Sequence, residues 1–290
     1  MRLVTFSEGG TTRIGVLDGE EIVDLRAAAP DLPGEMVAFL EAGDGALEAA
    51  RAALGGPRLA LADVHLESPI LRPPKILAVG LNYADHVAES GMDPPKHPMI
   101  FNKQATAAHP PYDPFHLPKV SGALDYEGEL AVVIGKRCRH VPKDRASEVI
   151  AGYTICNDVS VRDWQLRVPT FTMGKSFDTH CPLGPALVTS DEISDPHGLD
   201  IRTWVNGELR QSSNTKQLIF DAFTLVEHLS TAFTLEPGDV IPTGTPGGIG
   251  AAMKPPSFLV AGDVVKIAIS ELGEIENAVI EEPGSTARIG

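Results

Sequence analysis

Two glutamates and an aspartate at the ends of two apolar segments could hold a divalent cation. Glu127 and Glu129 stand at i and i+2 beside the apolar run 130–134, where alternate side chains of an extended chain point to one face. Carboxylates held that close repel each other unless a cation or a proton lies between them. Asp158 follows a second apolar run, 152–156, and can join the pair. An all-oxygen set of this kind suits Mg²⁺, Mn²⁺ or Ca²⁺ better than zinc.

The alternatives for Glu127 and Glu129 are a pair of solvated side chains at a strand end and a calcium-stabilised strand end. The second acidic cluster at Asp158 argues against the first of these, because two strand ends would have to carry unrelated surface charge. Three carboxylates that leave positions open for water and substrate favour a catalytic site over a structural one.

The segments that position these carboxylates are predicted to be strands. Apolar runs bounded by turn signals predict strands over residues 129–134, 152–157, 186–189, 201–205, 240–242 and 264–269. Asn206-Gly207 predicts a tight hairpin turn. One clear helix is predicted over 221–233, where Asp221 can cap the first turn of an apolar stripe. This part of the chain is therefore predicted to be mainly β, with peripheral helices.

The chain is expected to divide near residue 70. Residues 1–67 contain short extended runs, an Asp18-Gly19 hairpin signal and a helical stretch over 34–53, which predict a small α/β domain. Residues 68–74 contain three prolines and are predicted to be an extended linker. Residues 75–290 would then form the larger domain, which gives an α+β fold overall.

The composition excludes several classes of function. The chain has 290 residues, 43% of them hydrophobic, and a formal net charge of -15, which argues against a nucleic-acid partner. It has neither a signal peptide nor an apolar stretch that could span a membrane, so we expect a cytoplasmic protein without a membrane partner. The three cysteines match no disulfide framework or zinc motif and are expected to be reduced. No dinucleotide-binding glycine motif follows a predicted strand.

Five short motifs resemble those of the fumarylacetoacetate hydrolase superfamily and occur in the order found there. They are Val79–His86 (VGLNYADH), Asp125–Leu130 (DYEGEL), Asn157–Asp163 (NDVSVRD), Gly174–Asp178 (GKSFD) and Thr243–Pro246 (TGTP). Each motif is weak alone, but five in order are specific. The resemblance covers roughly residues 73 to 283 and implies a catalytic domain of the mixed β-sandwich roll type found in that superfamily.

The resemblance implies that Glu127, Glu129 and Asp158 bind one Mg²⁺ or Mn²⁺ per chain. It also implies that the oxygen atoms of a small keto-acid substrate are surrounded by Arg162, Gln165, Lys175 and Thr245. A 2,4-dioxo acid can chelate such a metal through its carboxylate and 2-oxo oxygens. Lys175 can then stabilise the enolate that develops as the carbon–carbon bond breaks. The alternative for Lys175 is an ordinary surface lysine.

His86 and Glu89 are three residues apart on a short helix predicted over 82–90, so they share one face. The resemblance implies that this helix is a lid and that the two side chains form a dyad that activates water. Such a base contributes on the order of 10² to 10⁴ in rate. The alternative is an exposed amphipathic helix. Selectivity among acyl groups is expected to lie in the segments 91–98 and 105–119.

The dyad favours hydrolysis of an acylpyruvate or fumarylpyruvate to pyruvate and a carboxylic acid. The alternatives on the same metal site are oxaloacetate decarboxylation or tautomerisation and the isomerisation of 2-hydroxyhepta-2,4-diene-1,7-dioate, and a non-enzymatic metal- or ligand-binding protein is a third class. The resemblance further implies a homodimer and a place in aromatic catabolism. Four nearby side chains are left out of the mechanism: Asp85, Asp163, His180 and Cys181.

Overall fold

The computed structural model describes residues 1–91 and 93–286. Its strands are β1 (Arg2–Glu8), β2 (Thr11–Asp18), β3 (Glu21–Asp24), β4 (Arg58–Ala60), β5 (His65–Leu66), β6 (Ile76–Gly80), β7 (Met99–Lys103), β8 (Ala108–His109), β9 (Phe115–Leu117), β10 (Leu124–Asp125), β11 (Gly128–Ile134), β12 (Ile150–Asn157), β13 (Ser160–Val161), β14 (Cys181–Thr189), β15 (Asp200–Val205), β16 (Glu208–Asn214), β17 (Val240–Pro242), β18 (Val264–Ile269) and β19 (Gly273–Glu281). Its helices are α1 (Leu25–Ala28), α2 (Met36–Glu41), α3 (Asp44–Ala52), α4 (Ala84–Ser90), α5 (Arg162–Gln165), α6 (Thr172–Lys175) and α7 (Ala222–Ala232).

Within the described residues, most strands belong to one large sheet. Its order is β4-β3-β2-β1-β14-β12-β11-β17-β6-β7, with β5 beside β1 and β8 beside β14. A five-stranded sheet in the order β16-β15-β18-β19-β9 contacts it, and β10 pairs with β13. The main core, which includes Leu130, Ile155, Ile201 and Ile267, lies where β11 and β12 meet β15 and β18. The predicted α+β, mainly β fold is confirmed.

The large sheet runs across the predicted domain boundary. Strand β1 pairs with β14 through Arg2 and Val188, and the terminal amine donates to Thr189 Oγ1 at 2.6 Å. One apolar cluster also joins Leu3 of the amino-terminal part to Val133 of the larger part. Residues 68–74 have neither helix nor strand, as their prolines predict, but Ile70 is buried. The division at 1–67, 68–74 and 75–290 stays a prediction.

The local predictions agree closely with the elements. Asn206 and Gly207 form a two-residue hairpin loop between β15 and β16 with φ of 51° and 80°, the conformation that Asn-Gly favours. Asp221 caps α7 by accepting from the Thr224 amide at 2.8 Å. Strand β14 begins five residues before its predicted start, because Pro182 and Pro185 weakened the strand signal.

Some predictions concern residues that the structure does not describe. Met92, within the predicted selectivity segment 91–98, and residues 287–290 of the larger predicted domain lie outside the described residues. No described helix has both the length and the apolar character needed to cross a membrane.

Candidate active site

The antiparallel pairing of β11 with β12 brings the three predicted carboxylates together. Gly128 at the start of β11 is paired with Asn157 at the end of β12, so the residues flanking both strands meet at one end of the sheet. The Asp158 amide donates to the carbonyl oxygen of Glu127 at 2.9 Å. Carboxylate oxygens of Glu127, Glu129 and Asp158 lie within 4.8 Å of one another. This distance is short enough for all three side chains to contact one cation.

All three acidic side chains are buried. Glu127 is 7% exposed, Glu129 1% and Asp158 0%. Solvated glutamates at a strand end would not be withdrawn from water in this way, because burying an unpaired carboxylate is costly. The buried cluster therefore excludes the surface-charge alternative and requires compensating positive charge.

Two buried lysines supply part of that charge. Lys175 Nζ lies 2.8 Å from Glu127 Oε2 and 2.7 Å from Asp158 Oδ2. Lys103 Nζ lies 2.6 Å from Asp158 Oδ1, and its side chain is fully buried. Lys175 was predicted from its motif, whereas Lys103 on β7 was missed. The sequence marks Lys103 only as a lysine at the end of an apolar strand, and this feature is too common to identify a site residue.

The two glutamates experience opposite electrostatic environments. Burial alone would raise the pKa of Glu127, but the ammonium of Lys175 and the guanidinium of Arg162 outweigh it and lower that pKa to about 2. Burial, together with the neighbouring charges of Asp158 and Glu127, raises the pKa of Glu129 well above its usual range. Glu129 is thus the carboxylate that lacks a cation of its own.

The contacts of Glu129 support the same conclusion. The Gly244 amide donates to its Oε2 at 2.8 Å, and no lysine or arginine within residues 1–91 and 93–286 forms an ion pair with it. A buried carboxylate beside two others, with one amide as its hydrogen-bond donor, fits a hard divalent cation with oxygen ligands. Glu127, Glu129 and Asp158 are the residues that would hold that cation.

Arg162 is held beside the cluster rather than free in the cavity. Its Nε lies 2.9 Å from Asp125 Oδ2, and its Nη1 lies 2.6 Å from Glu127 Oε1 and 2.9 Å from Gln165 Oε1. Asp125 anchors Arg162, whereas the nearby Asp163 accepts from Ser121. Arg162 and Gln165 nevertheless line the cavity, as predicted substrate-binding residues should.

The predicted substrate-binding threonine belongs to a tightly packed loop. Thr245 Oγ1 donates to the Gly128 carbonyl oxygen at 3.0 Å and accepts from Gln211 Nε2 at 2.8 Å. Gly248 in the same loop has a φ of 100°, and a Cβ there would lie 2.0 Å from the Arg210 carbonyl oxygen. The loop therefore packs too closely for a side chain at this glycine. Gln211, which sequence reasoning missed, fixes Thr245.

Helix α4 is tied to this loop by its acidic side chains. Both carboxylate oxygens of Glu89 accept from the Gly248 amide, at 3.1 and 3.0 Å. His86 is 9% exposed, and its Nδ1 lies 3.6 Å from Glu89 Oε2, which is beyond hydrogen-bond distance. Asp85 accepts from Ser213 Oγ at 2.5 Å and so anchors the helix to β16. The predicted dyad residues are neighbours, but Glu89 is engaged elsewhere.

A cavity of about 340 Å³ adjoins the carboxylate cluster. It is lined by most of the predicted site residues: His86, Glu127, Arg162, Gln165, Lys175 and Thr245. His180 and Cys181 lie elsewhere: His180 Nε2 is 2.8 Å from the His116 carbonyl oxygen, and Cys181 Sγ is 3.6 Å from Cys156 Sγ. Their exclusion from the mechanism agrees with these positions. The three cysteines are free thiols.

Replacing Lys103 with methionine is expected to destabilise the protein by about 3 to 5 kcal/mol in EDTA, because Asp158 would lose a buried ion partner. Added Mn²⁺ should restore part of that loss, since a cation that binds only the folded state stabilises it. Urea denaturation with and without Mn²⁺ measures both effects. The control is Lys136→Met, which removes an exposed ion pair with Asp44 and should cost less than about 1 kcal/mol. Equal losses in the two variants would contradict a compensating role for Lys103.

The fold and the site define a metal-dependent enzyme with a divalent-cation centre at one end of a large mixed sheet. The family model described as fumarylacetoacetate (FAA) hydrolase C-terminal matches residues 75–280. The chain belongs to the fumarylacetoacetate hydrolase family.

Relatives in the family catalyse different reactions. The mitochondrial oxaloacetate tautomerase of Xenopus laevis is 48% identical over 288 residues, which cover 97% of this chain and 90% of the relative. A maleylpyruvate hydrolase from Sphingobium sp. SYK-6, solved with manganese(II) and pyruvate, is 37% identical with a TM-score of 0.83 and covers 98% of this chain and 100% of that one. The 2-hydroxyhepta-2,4-diene-1,7-dioate isomerase of Mycobacterium marinum is 33% identical with a TM-score of 0.78, at 97% and 99% coverage.

These similarities confirm an enzyme of this family with a divalent-metal site. The choice between Mg²⁺ and Mn²⁺, the homodimer, the place in aromatic catabolism and the cytoplasmic location stay predictions.

Proposed function

We propose that the chain enolises a 2-oxo acid at its divalent-metal site and that its reaction is the keto–enol tautomerisation of oxaloacetate. The observation that carries this proposal is the position of His86, an imidazole that lines the cavity together with Lys175 beside the carboxylate cluster. The tautomerase of Xenopus laevis, similar over nearly the whole chain, supports the same reaction.

The chemistry needs one proton-transfer group and a stabilised oxygen. When bound, a divalent cation supplies a Lewis acid that polarises the 2-oxo group of the substrate. Lys175 places a positive charge at the same end of the cavity, where negative charge develops on oxygen as the C3 proton leaves. His86 takes the C3 proton and then returns it to the 2-oxo oxygen, so the keto and enol forms interconvert, the imidazole regains its original state and no carbon–carbon bond changes.

The second candidate is hydrolysis of a 2,4-dioxo acid, which the shared face of His86 and Glu89 and the similarity to the maleylpyruvate hydrolase favour. Hydrolysis requires a water activated by His86 while Glu89 orients the imidazole. In this structure Glu89 does not orient the imidazole, because His86 Nδ1 and Glu89 Oε2 are 3.6 Å apart and both Glu89 oxygens accept from the Gly248 amide. Tautomerisation needs no such contact, and for this reason we rank it first.

One assay separates the reactions. Enol oxaloacetate is added to the protein with Mg²⁺ or Mn²⁺, and loss of enol absorbance is followed against a control with metal alone. Pyruvate is quantified in parallel with lactate dehydrogenase. Accelerated ketonisation without pyruvate supports tautomerisation, whereas pyruvate from oxaloacetate indicates decarboxylation. No acceleration with oxaloacetate, combined with pyruvate release from acetylpyruvate or maleylpyruvate, establishes hydrolysis instead.

His86→Gln is expected to lower the tautomerisation rate by about 10² to 10⁴, because it removes the proton-transfer group. Glu89→Gln should change the rate less than about tenfold, since Glu89 does not orient the imidazole in this reaction. The control is His228→Gln on the exposed face of α7, which should leave the rate unchanged. Equal and large losses for His86→Gln and Glu89→Gln would show that the dyad acts as a unit and would contradict the premise that tautomerisation needs no contact between the two side chains.

A further inference from the structure

Strand β11 has one edge without a neighbouring strand near its start. Strand β17 pairs with β11 only as far as Pro242, and the Thr243 amide then donates to the Leu130 carbonyl oxygen at 2.9 Å. Beyond that point, no strand of the described residues pairs with this edge. Gly128 lies there, between the two glutamates of the carboxylate cluster. Because buried backbone groups need hydrogen-bond partners, the amide and carbonyl groups of Gly128 require partners other than a strand.

Side chains take the place of the missing strand at Gly128. Its amide donates to Gln211 Oε1 at 3.0 Å, and its carbonyl oxygen accepts from Thr245 Oγ1 at 3.0 Å. Gln211 Nε2 donates to Thr245 Oγ1 and to the Pro246 carbonyl oxygen, both at 2.8 Å. We call this group of four residues, Gly128, Gln211, Thr245 and Pro246, the amide clamp. It joins the start of β11 to the loop after β17 through one buried side chain of β16.

The absence of a side chain at position 128 makes room for the amide clamp. In extended chain Glu127 and Glu129 point to one face and residue 128 points to the other. A Cβ at Gly128 would lie 2.4 Å from Thr203 Oγ1 and 3.3 Å from Gln211 Oε1. The five-stranded sheet therefore passes too close to β11 for any side chain at this position. The glycine between the two glutamates is required by this close approach.

The amide clamp is next to the carboxylate cluster on two sides. Gly128 is bonded directly to Glu127 and Glu129, and the Gly244 amide, one residue before Thr245, donates to Glu129 Oε2 at 2.8 Å. Within the described residues, Gln211 neither lines the cavity nor forms a hydrogen bond with a carboxylate of the cluster. Any effect of Gln211 on a bound cation must therefore act through the residues that it holds.

We propose that Gln211 is a positioning residue of the metal centre and that it holds Glu127 and Glu129 at the spacing that one divalent cation requires. Without its amide group, the Gly128 amide and the Pro246 carbonyl oxygen would be buried without partners, which is costly. The backbone between the two glutamates would then shift to reach new partners. Residues that hold metal ligands in place typically contribute about 10- to 100-fold to metal affinity.

The test is Gln211→Met, which keeps the length of the side chain and removes its donor and acceptor. We expect calorimetry to show about 10- to 100-fold weaker binding of Mn²⁺. The electron paramagnetic resonance spectrum of the bound Mn²⁺, which depends on the arrangement of its ligands, should also change. Both measurements are made without substrate. Their outcome is therefore independent of the reaction that the enzyme catalyses, and the proposed function can fail while this inference holds.

The matched control is Asn277→Leu on β19 of the same five-stranded sheet. Asn277 is also fully buried, and its Nδ2 donates to the carbonyl oxygens of Pro110 and Asp113 at 3.2 and 2.8 Å. Its loss should lower the unfolding temperature as Gln211→Met does, but leave both the Mn²⁺ affinity and the spectrum unchanged. Equal Mn²⁺ affinities in the two folded variants would overturn the inference.

A milder substitution, Gln211→Asn, keeps the experiment decisive if Gln211→Met does not fold. The shorter amide cannot reach Gly128 and Pro246 together, so we expect a smaller loss of Mn²⁺ affinity, about three- to tenfold, within the range for residues that support metal ligands. An affinity equal to that of the wild-type protein in folded Gln211→Asn would contradict a positioning role.

Discussion

Glu129→Gln is expected to lower the affinity for Mn²⁺ by about 100-fold or more and to reduce tautomerisation in proportion at low metal concentration. Residues that hydrogen-bond to a metal ligand without touching the metal typically contribute about 10- to 100-fold to the metal affinity. Loss of a carboxylate that binds the metal directly should therefore cost at least about 100-fold. Glu129 is the member of the cluster without a lysine or arginine partner, so its charge is the one most available to a cation. Calorimetry with Mn²⁺ measures the affinity.

The same substitution is expected to stabilise the protein in EDTA. Burial and the charges of Asp158 and Glu127 raise the pKa of Glu129, so folding favours its protonated form. A raised pKa contributes stability that is full below the usual value of 4.5 and is lost as pH rises through the higher value in the folded protein. In EDTA the wild-type protein should therefore lose folding stability as pH rises through the raised pKa of Glu129, and the Glu129→Gln variant should lose less stability over the same pH interval.

Glu276→Gln, an exposed change on β19, is the matched control for Glu129→Gln and should alter neither property. Unchanged Mn²⁺ affinity in Glu129→Gln would show that the carboxylate cluster is not the metal site. A loss of stability in EDTA would show instead that Glu129 is held by contacts more favourable than the repulsion described above.

Local patterns predicted the parts of the site that depend on one or two neighbouring elements. The period-two spacing of Glu127 and Glu129 places both on one face of the chain where β11 begins, and the strand that ends before Asp158 pairs with β11. The Asn206-Gly207 turn and the Asp221 cap were likewise readable, because each depends on a few adjacent residues.

The parts that could not be predicted depend on contacts between distant segments. Lys103 and Asp158 are 55 positions apart, and the strand pattern of β7 gives no information about the partner of its last side chain. The pairing of β1 with β14 joins Arg2 to Val188, and an alternating pattern defines a buried face but not a neighbouring strand. Helical spacing alone would pair His86 with Glu89, but the Glu89 carboxylate accepts from the distant Gly248 amide instead.

The second large effect is expected at Lys175. Lys175→Met should lower the tautomerisation rate by about 10² to 10³ at saturating Mn²⁺, because it removes a charge that stabilises the developing oxyanion. Its affinity for Mn²⁺ should stay the same or increase, since the ammonium no longer competes for Glu127 and Asp158. Rate and affinity therefore move independently here, whereas Glu129→Gln lowers both.

Lys103→Met is the matched control for this effect. Both lysines pair with Asp158 and both are buried, so either substitution removes one ammonium from the same carboxylate. Lys175 lines the cavity, whereas the Lys103 side chain is fully enclosed. If Lys175 acts on the substrate, its loss at saturating Mn²⁺ should lower the rate at least tenfold more than loss of Lys103. Equal losses in the two folded variants would mean that both lysines serve only to balance the charge of the cluster and that Lys175 does not stabilise the developing oxyanion.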